Sequence, residues 1–232
     1  MKFEIYNERD GRELIRGVIF DMDGTILDTE KLYCGFAVKA ANELGYPMTM
    51  AQALQFRSSS KALGQKILEG FFGPEADYIA VRSLRVAMTE EFIAANGIEV
   101  KPGAGELLDA LRERKILTAI ATAAPMERAQ RYLAQTGLLE KFDQIVCTGN
   151  VKNGKPAPDV YLYASERLGL APGECIAVED SPRGVESAFR AGCFSVMVPD
   201  LDQPSEETKQ FIHAKLENLG QILDLIQYMQ EE

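Results

Sequence analysis

The chain has one histidine, His213, in 232 residues. That scarcity argues against a histidine-based catalytic triad and against a histidine-rich metal site. His213 itself lies in a polar C-terminal stretch and is expected at the surface. The four cysteines, Cys34, Cys147, Cys175 and Cys193, show no Cys-x-x-Cys spacing. They are expected to be reduced and mostly packed, the usual state of thiols in a cytoplasmic protein. No apolar run is long enough to span a bilayer, so no membrane partner is expected. Met1 to Arg16 is too charged to be a secretory signal. Positive charge is also short: 25 Lys and Arg stand against 35 Asp and Glu, for a net charge of -10. A nucleic-acid partner, which needs cations to meet phosphates, is therefore not expected. A small anionic substrate is not excluded, because a metal and a lysine can make one site positive within an acidic protein. No feature of the sequence bears on oligomeric state.

What the sequence does have is Val18-Ile19-Phe20-Asp21-Met22-Asp23-Gly24-Thr25. The apolar run Val18 to Phe20 reads as a strand buried on both faces of a parallel sheet. It ends in two carboxylates. Side chains at i and i+2 of an extended chain point the same way, so Asp21 and Asp23 are expected to reach into one space past the strand's carboxyl end. Gly24 permits a sharp turn there. Open α/β sheets bind their ligands along that edge. Two close carboxylates repel unless a divalent cation or a shared proton offsets them. With a metal present, one can attack an electrophile such as phosphorus while the other handles protons. Taken alone, Asp-x-Asp-Gly serves equally well as an ordinary turn.

The rest of the chain divides in two. From Ile26 to about Gly97 the pattern is helical. Tyr33, Phe36, Ala37, Ala40, Ala41 and Leu44 recur at helical spacing, and Gly45-Tyr46-Pro47 stops them. Further helices are expected from Thr49 as N-cap, around Leu63 to Leu68, and over Ala76 to Ala95. From Lys101 strands and helices alternate. Strands are expected at Ile116 to Ala121, Gln144 to Cys147, Cys175 to Val178 and Phe194 to Val198. Helices are expected at Pro102 to Arg114, Pro125 to Thr136, Pro158 to Leu168, Arg183 to Ala191 and Leu216 to Met229. Alternation of this kind predicts an α/β fold with a doubly wound parallel sheet. The helical stretch between the first strand and the second is too long for a connection. It is expected to be an inserted domain, 28–97, with 1–27 and 98–232 forming the core.

Three later elements fall at the same predicted edge. Thr122 follows a strand directly, where a hydroxyl can bond a phosphate oxygen or, equally, cap the next helix. Lys155 lies in Gly154-Lys155-Pro156-Ala157-Pro158-Asp159, a loop whose prolines would hold one ammonium in a defined place. Glu179-Asp180 follows another strand, ahead of the turn Ser181-Pro182-Arg183-Gly184. Hard oxygen ligands there suit Mg²⁺, although Asp180 or Ser181 could instead cap a helix. Each is weak alone. In this order they supply a metal site, a nucleophile, an acid/base and two phosphate-binding groups.

With those motifs the chain resembles the haloacid dehalogenase superfamily, in its large phosphatase and phosphomutase branch. The resemblance covers nearly the whole chain, and the helical insertion looks like that family's helical cap. It implies that Asp21 attacks phosphorus to form an aspartyl-phosphate. Asp23 then protonates the leaving oxygen and later deprotonates water. It implies Mg²⁺ on the Asp21 carboxylate, the Asp23 backbone carbonyl and the Asp180 carboxylate, with Glu179 as ligand or just behind. Thr122 and Lys155 would hold the phosphoryl group.

Within the family, members that attack carbon lack the second aspartate and the magnesium site, which argues against a dehalogenase here. β-Phosphoglucomutase resembles this chain in cap and core. Such mutases often carry a Gly-x-Ser-Arg-like cap segment; here the corresponding stretch is Phe56-Arg57-Ser58-Ser59-Ser60-Lys61, without the glycine. Ala123, after Thr122, stands where the family often has Ser or Asn, next to the phosphate. Both departures favour a phosphatase acting on a small phosphorylated metabolite, a sugar, polyol or nucleoside monophosphate. Arg57 and Lys61 are the cap residues expected to contact it. A sugar phosphomutase is the alternative within the family. A phospho-acceptor switch or binding module is the alternative outside it, although such a switch has no use for Asp23.

Overall fold

The computed structural model describes residues 3–7, 14–57, 59–201 and 203–231. Part of the Met1 to Arg16 segment, and Ser58 in the cap stretch, lie outside the described residues. Seven strands are described: β1 (Glu4–Ile5), β2 (Gly17–Phe20), β3 (Leu117–Thr122), β4 (Gln144–Cys147), β5 (Cys175–Glu179), β6 (Phe194–Met197) and β7 (Ala214–Lys215). The helices are α1 (Glu30–Glu43), α2 (Met50–Ala53), α3 (Lys61–Phe72), α4 (Tyr78–Asn96), α5 (Ala104–Glu113), α6 (Met126–Gln135), α7 (Asp159–Leu168), α8 (Pro182–Arg190), α9 (Glu206–Lys209) and α10 (Gln221–Glu231).

The chain forms two compact units, one of residues 1–27 and 100–232, the other of residues 28–99. In the first, the strands form one sheet in the order β1-β7-β6-β5-β2-β3-β4. All neighbours run parallel except β1, which pairs antiparallel with β7 at the edge. This is the expected doubly wound α/β fold. β2 sits between β3 and β5, with Phe20 level with Ile120 and Val178. The chain winds outward from β2 through β3 to β4, then returns to the other side of β2 with β5. The carboxyl end of β2 is thus the switch point where such sheets bind ligands. Gly17 to Phe20 is wholly buried, which is why the run is continuously apolar rather than alternating. Ile19, Ala119, Ala121 and Ala177 form one core with Val160, Tyr161 and Ala164 of α7. Small alanines on β3 and β5 let this helix lie close to the sheet.

The second unit is helical throughout its described residues. α1 and α4 make its main pairing, with Tyr33, Ala37, Ala40 and Ala41 buried on α1. Thr49 caps α2 in a reciprocal capping box with Gln52. α4 ends at Gly97, whose φ of 80° suits glycine. At Gly64 of α3 a Cβ would collide with the ring of Tyr78, so helix and ring approach through the missing side chain.

Several boundaries differ from expectation. β3 and β5 each run one residue further than the apolar pattern, so Thr122 and Glu179 are the last residues of strands rather than the first beyond them. The strands β1 and β7 and the short helix α9 are too brief to leave a periodic signal. Leu216 is fully buried just after β7, and the last helix begins only at Gln221. His213 is not a surface residue: it is 8% exposed and stacks between Phe189 and Phe194, with ring centroids 5.2 and 4.7 Å away. Its Nδ1 accepts the amide N–H of Ser195 at 3.0 Å. The polar tail around it concealed that the residue just before β7 packs against β6 and α8.

Candidate active site

The loop after β2 is compact. The amide of Asp21 donates to the carbonyl of Val178 at 2.9 Å, which ties the end of β2 to β5. The amides of Ile26 and Leu27 return to the carbonyl of Met22, and Gly24 turns the chain at φ 89°. This fold-back presents Asp21 and Asp23 at the carboxyl edge.

Lys155 organises what surrounds Asp21. Its side chain is wholly buried, and its Nζ donates to Asp21 Oδ1 at 2.6 Å, to Glu179 Oε1 at 2.5 Å and to the carbonyl of Ala121 at 2.9 Å. All three protons of the ammonium are thereby used. Burial alone would depress this lysine, but the Asp21 and Glu179 carboxylates outweigh it and hold the ammonium above its ordinary value. The ring of Tyr161 lies 5.1 Å from the ammonium, and its hydroxyl donates to Glu179 Oε1 at 2.6 Å. Burial, reinforced by Glu179, keeps that phenol protonated well beyond its usual range. Ser181 donates to the other oxygen of Glu179 at 3.2 Å and also caps α8. The backbone of Gly184 lies against Glu179, where a Cβ would fall on the carboxylate.

Asp21, Glu179 and Asp180 are all buried and each offers an oxygen within 4.8 Å of the others. Asp21 and Glu179 share one ammonium, a surplus of one negative charge if both are ionised, and the Asp180 carboxylate lies alongside. Burial pushes the Asp21 carboxyl well above the usual range, Lys155 pulls against it, and Glu179 and Asp180 add to the rise. An all-oxygen set with this charge fits a hard divalent cation.

The remaining candidates divide. Thr122 is buried at the end of β3, and its hydroxyl accepts the amide of Ala124 at 3.0 Å. It is not the N-cap of α6, which is Pro125. Ala123 is exposed beside it. Asp23 is partly buried and paired with Arg128, whose Nη2 lies 3.4 Å from Oδ2. In the helical unit Arg57 is buried, with Nε 3.4 Å from Glu30 Oε1, while Lys61 is exposed at the start of α3. Sequence reasoning missed Tyr161 and Arg128. Tyr161 reads as one more apolar position of α7, and Arg128 as a solvated helix charge; only their partners distinguish them.

A doubly wound sheet with clustered acids and a buried lysine at its switch point defines a metal-capable site of an α/β protein. Residues 18–198 match the family described as haloacid dehalogenase-like hydrolase. The chain belongs to that family. It is 33% identical over 178 residues to a phosphorylated carbohydrates phosphatase of Thermotoga maritima, covering 77% of this chain and 82% of the relative. It is 35% identical over 193 residues to hexitol phosphatase A of Escherichia coli, covering 79% and 82%. Among solved structures, β-phosphoglucomutase from Clostridium difficile shares the fold with a TM-score of 0.78 at 23% identity, covering 94% of this chain and 97% of that one.

Proposed function

We propose that this chain is a Mg²⁺-dependent phosphatase that hydrolyses a small phosphorylated metabolite, a sugar, polyol or nucleoside monophosphate, through an aspartyl-phosphate on Asp21. One observation carries the reading: a single buried ammonium, Lys155, bridges Asp21 to Glu179, with Asp180 alongside, at the switch point of the sheet. The family and the phosphatases it resembles support it.

Lys155 takes one oxygen of Asp21 and so fixes the plane of the carboxylate that attacks phosphorus. As the new P–O bond forms, the bond to the leaving oxygen breaks and Asp23 supplies its proton. Asp23, now a carboxylate, takes a proton from water. That water attacks phosphorus and releases phosphate from Asp21. The Thr122 hydroxyl donates to a phosphoryl oxygen, and the Lys155 ammonium, its protons held by Asp21, Glu179 and the Ala121 carbonyl, attracts the phosphoryl group by its charge. The carboxylates of Asp21 and Asp180 and the backbone carbonyl of Asp23 would hold Mg²⁺. Glu179 would stand behind them, because its oxygens already accept from Lys155, Tyr161 and Ser181. The cation supplies charge neutralisation for the transferring phosphoryl group.

We assign residues 28–99 the role of a cap that shields the aspartyl-phosphate step from water. Lys61 and Arg57, the latter paired with Glu30, are its candidate substrate contacts, and Ala123 is a candidate contact of the core. The four buried thiols are in keeping with a cytoplasmic, reducing setting.

The test is phosphate release from a panel of sugar, polyol and nucleoside monophosphates, with Mg²⁺ and with chelator, for wild type and Asp21→Asn. Release that needs both Mg²⁺ and Asp21 supports the reading. A chain that releases no phosphate but isomerises a sugar phosphate when primed by a bisphosphate is a mutase. Stable phosphorylation of Asp21 without turnover would make it a switch.

A further inference from the structure

We propose that Arg128 is a positioning residue for Asp23 and determines how well this chain expels a poor leaving group; the proposal rests on the phosphatase reading above. Arg128 is the third residue of α6, and its side chain and that of Asp23 are 16% and 13% exposed. An arginine in the first turn of a helix gains nothing from the helix, whose amino end favours anions. Its placement there needs another cause, and the Asp23 carboxylate 3.4 Å away provides one. Lys155 cannot orient Asp23, because its three protons are committed to Asp21, Glu179 and the Ala121 carbonyl. The two aspartates therefore have separate cations. The guanidinium is planar and stiff in its donor geometry, so it fixes a carboxylate's direction better than an ammonium does. The buried ring of Tyr132, 6.0 Å from the guanidinium carbon, limits where the arginine can go.

A carboxyl group has two oxygens. The one facing Arg128 can accept a hydrogen bond whether or not the group is protonated; the other carries the proton. Arg128 thus aims the proton-bearing oxygen at the leaving group. An alkoxide from a sugar or polyol departs only with that proton. A p-nitrophenolate departs without it. The dependence on Asp23's aim should therefore follow the leaving group. It should appear in kcat/KM, which covers the steps up to leaving-group departure and omits hydrolysis of the aspartyl-phosphate.

The experiment measures kcat/KM for the best sugar or polyol phosphate and for p-nitrophenyl phosphate, with Mg²⁺, in wild type, Arg128→Met and Arg128→Lys. Arg128→Met should lose about 10- to 100-fold on the alkyl ester, no more than the smallest share that positioned acid catalysis supplies, since Asp23 itself remains, and about threefold or less on the aryl ester, whose departure is unaided. Arg128→Lys should recover part of the loss. Should Arg128→Met lose its melting transition, Arg128→Gln gives the same comparison. Equal losses on both esters, or none on either, overturn the positioning role. A wild type that hydrolyses neither ester, or an Asp21→Asn variant as active as wild type, overturns the phosphatase reading and this inference with it.

Discussion

Lys155 and the groups it holds are the least replaceable residues of the core. Removing the ammonium by Lys155→Met leaves Asp21 and Glu179 buried against each other without a counter-charge. Breaking a buried ion pair from one side costs roughly 3–5 kcal/mol. Urea denaturation in chelator should show a loss of that order, and added Mg²⁺ should recover part of it, since a cation offsets the same carboxylates. Tyr161→Phe is a milder test. It removes one hydrogen bond to a charged acceptor, about 1–3 kcal/mol, and leaves the ring in place. Its denaturation midpoint should fall while most phosphate release survives. That outcome would separate support of Glu179 from direct chemistry.

At the level of elements, the turn from β5 into α8 does two jobs. Ser181 caps the helix and bonds Glu179, and Gly184 brings the helix backbone against the same carboxylate. Gly184→Ala should displace Glu179. The expected cost is about 1–3 kcal/mol in denaturant midpoint, as for other overpacked sites, with a loss of activity larger than that of Tyr161→Phe. The strands carry a different prediction. Cys147 ends β4 and Cys175 opens β5, and burial pushes both thiols up to about 11. The folded state keeps these protons where the unfolded chain, with ordinary thiols near 9, has lost them. Their contribution to stability is therefore complete below pH 9 and is lost as pH rises from 9 through 11, by at most about 1.4 kcal/mol per unit for Cys175 and by less for Cys147, whose shift solvent screening reduces. Urea midpoints at pH 8 and pH 10.5 should diverge more for wild type than for the Cys147→Ala, Cys175→Ala double variant.

For the whole molecule, the surplus of negative charge at the sheet edge predicts that a divalent cation stabilises the fold. At about 100 times the dissociation constant the gain is roughly 2.7 kcal/mol. The melting temperature should rise with Mg²⁺ concentration in wild type, and Asp180→Asn should flatten that response. A melting temperature indifferent to Mg²⁺ would count against the cation site.

The alternation of buried strands and amphipathic helices was legible along the chain because each element's periodicity is local. So was the Asp21-x-Asp23 loop, since a strand ending in turn residues states where its carboxyl end lies. Lys155 and Glu179-Asp180 were legible as members of an ordered set of loop residues. The sequence by itself thus determined the α/β class, the helical insertion and which acids and which lysine meet at one edge. The tertiary structure decided how they are partnered. Only strand order sets β2 between β3 and β5, and only that juxtaposition lets one ammonium reach Asp21, Glu179 and the Ala121 carbonyl together. The same holds for Tyr161, Arg128 and His213. Each looks ordinary in its own segment, because a side chain's hydrogen-bond and stacking partners come from residues far away in the chain, and local periodicity carries no information about them.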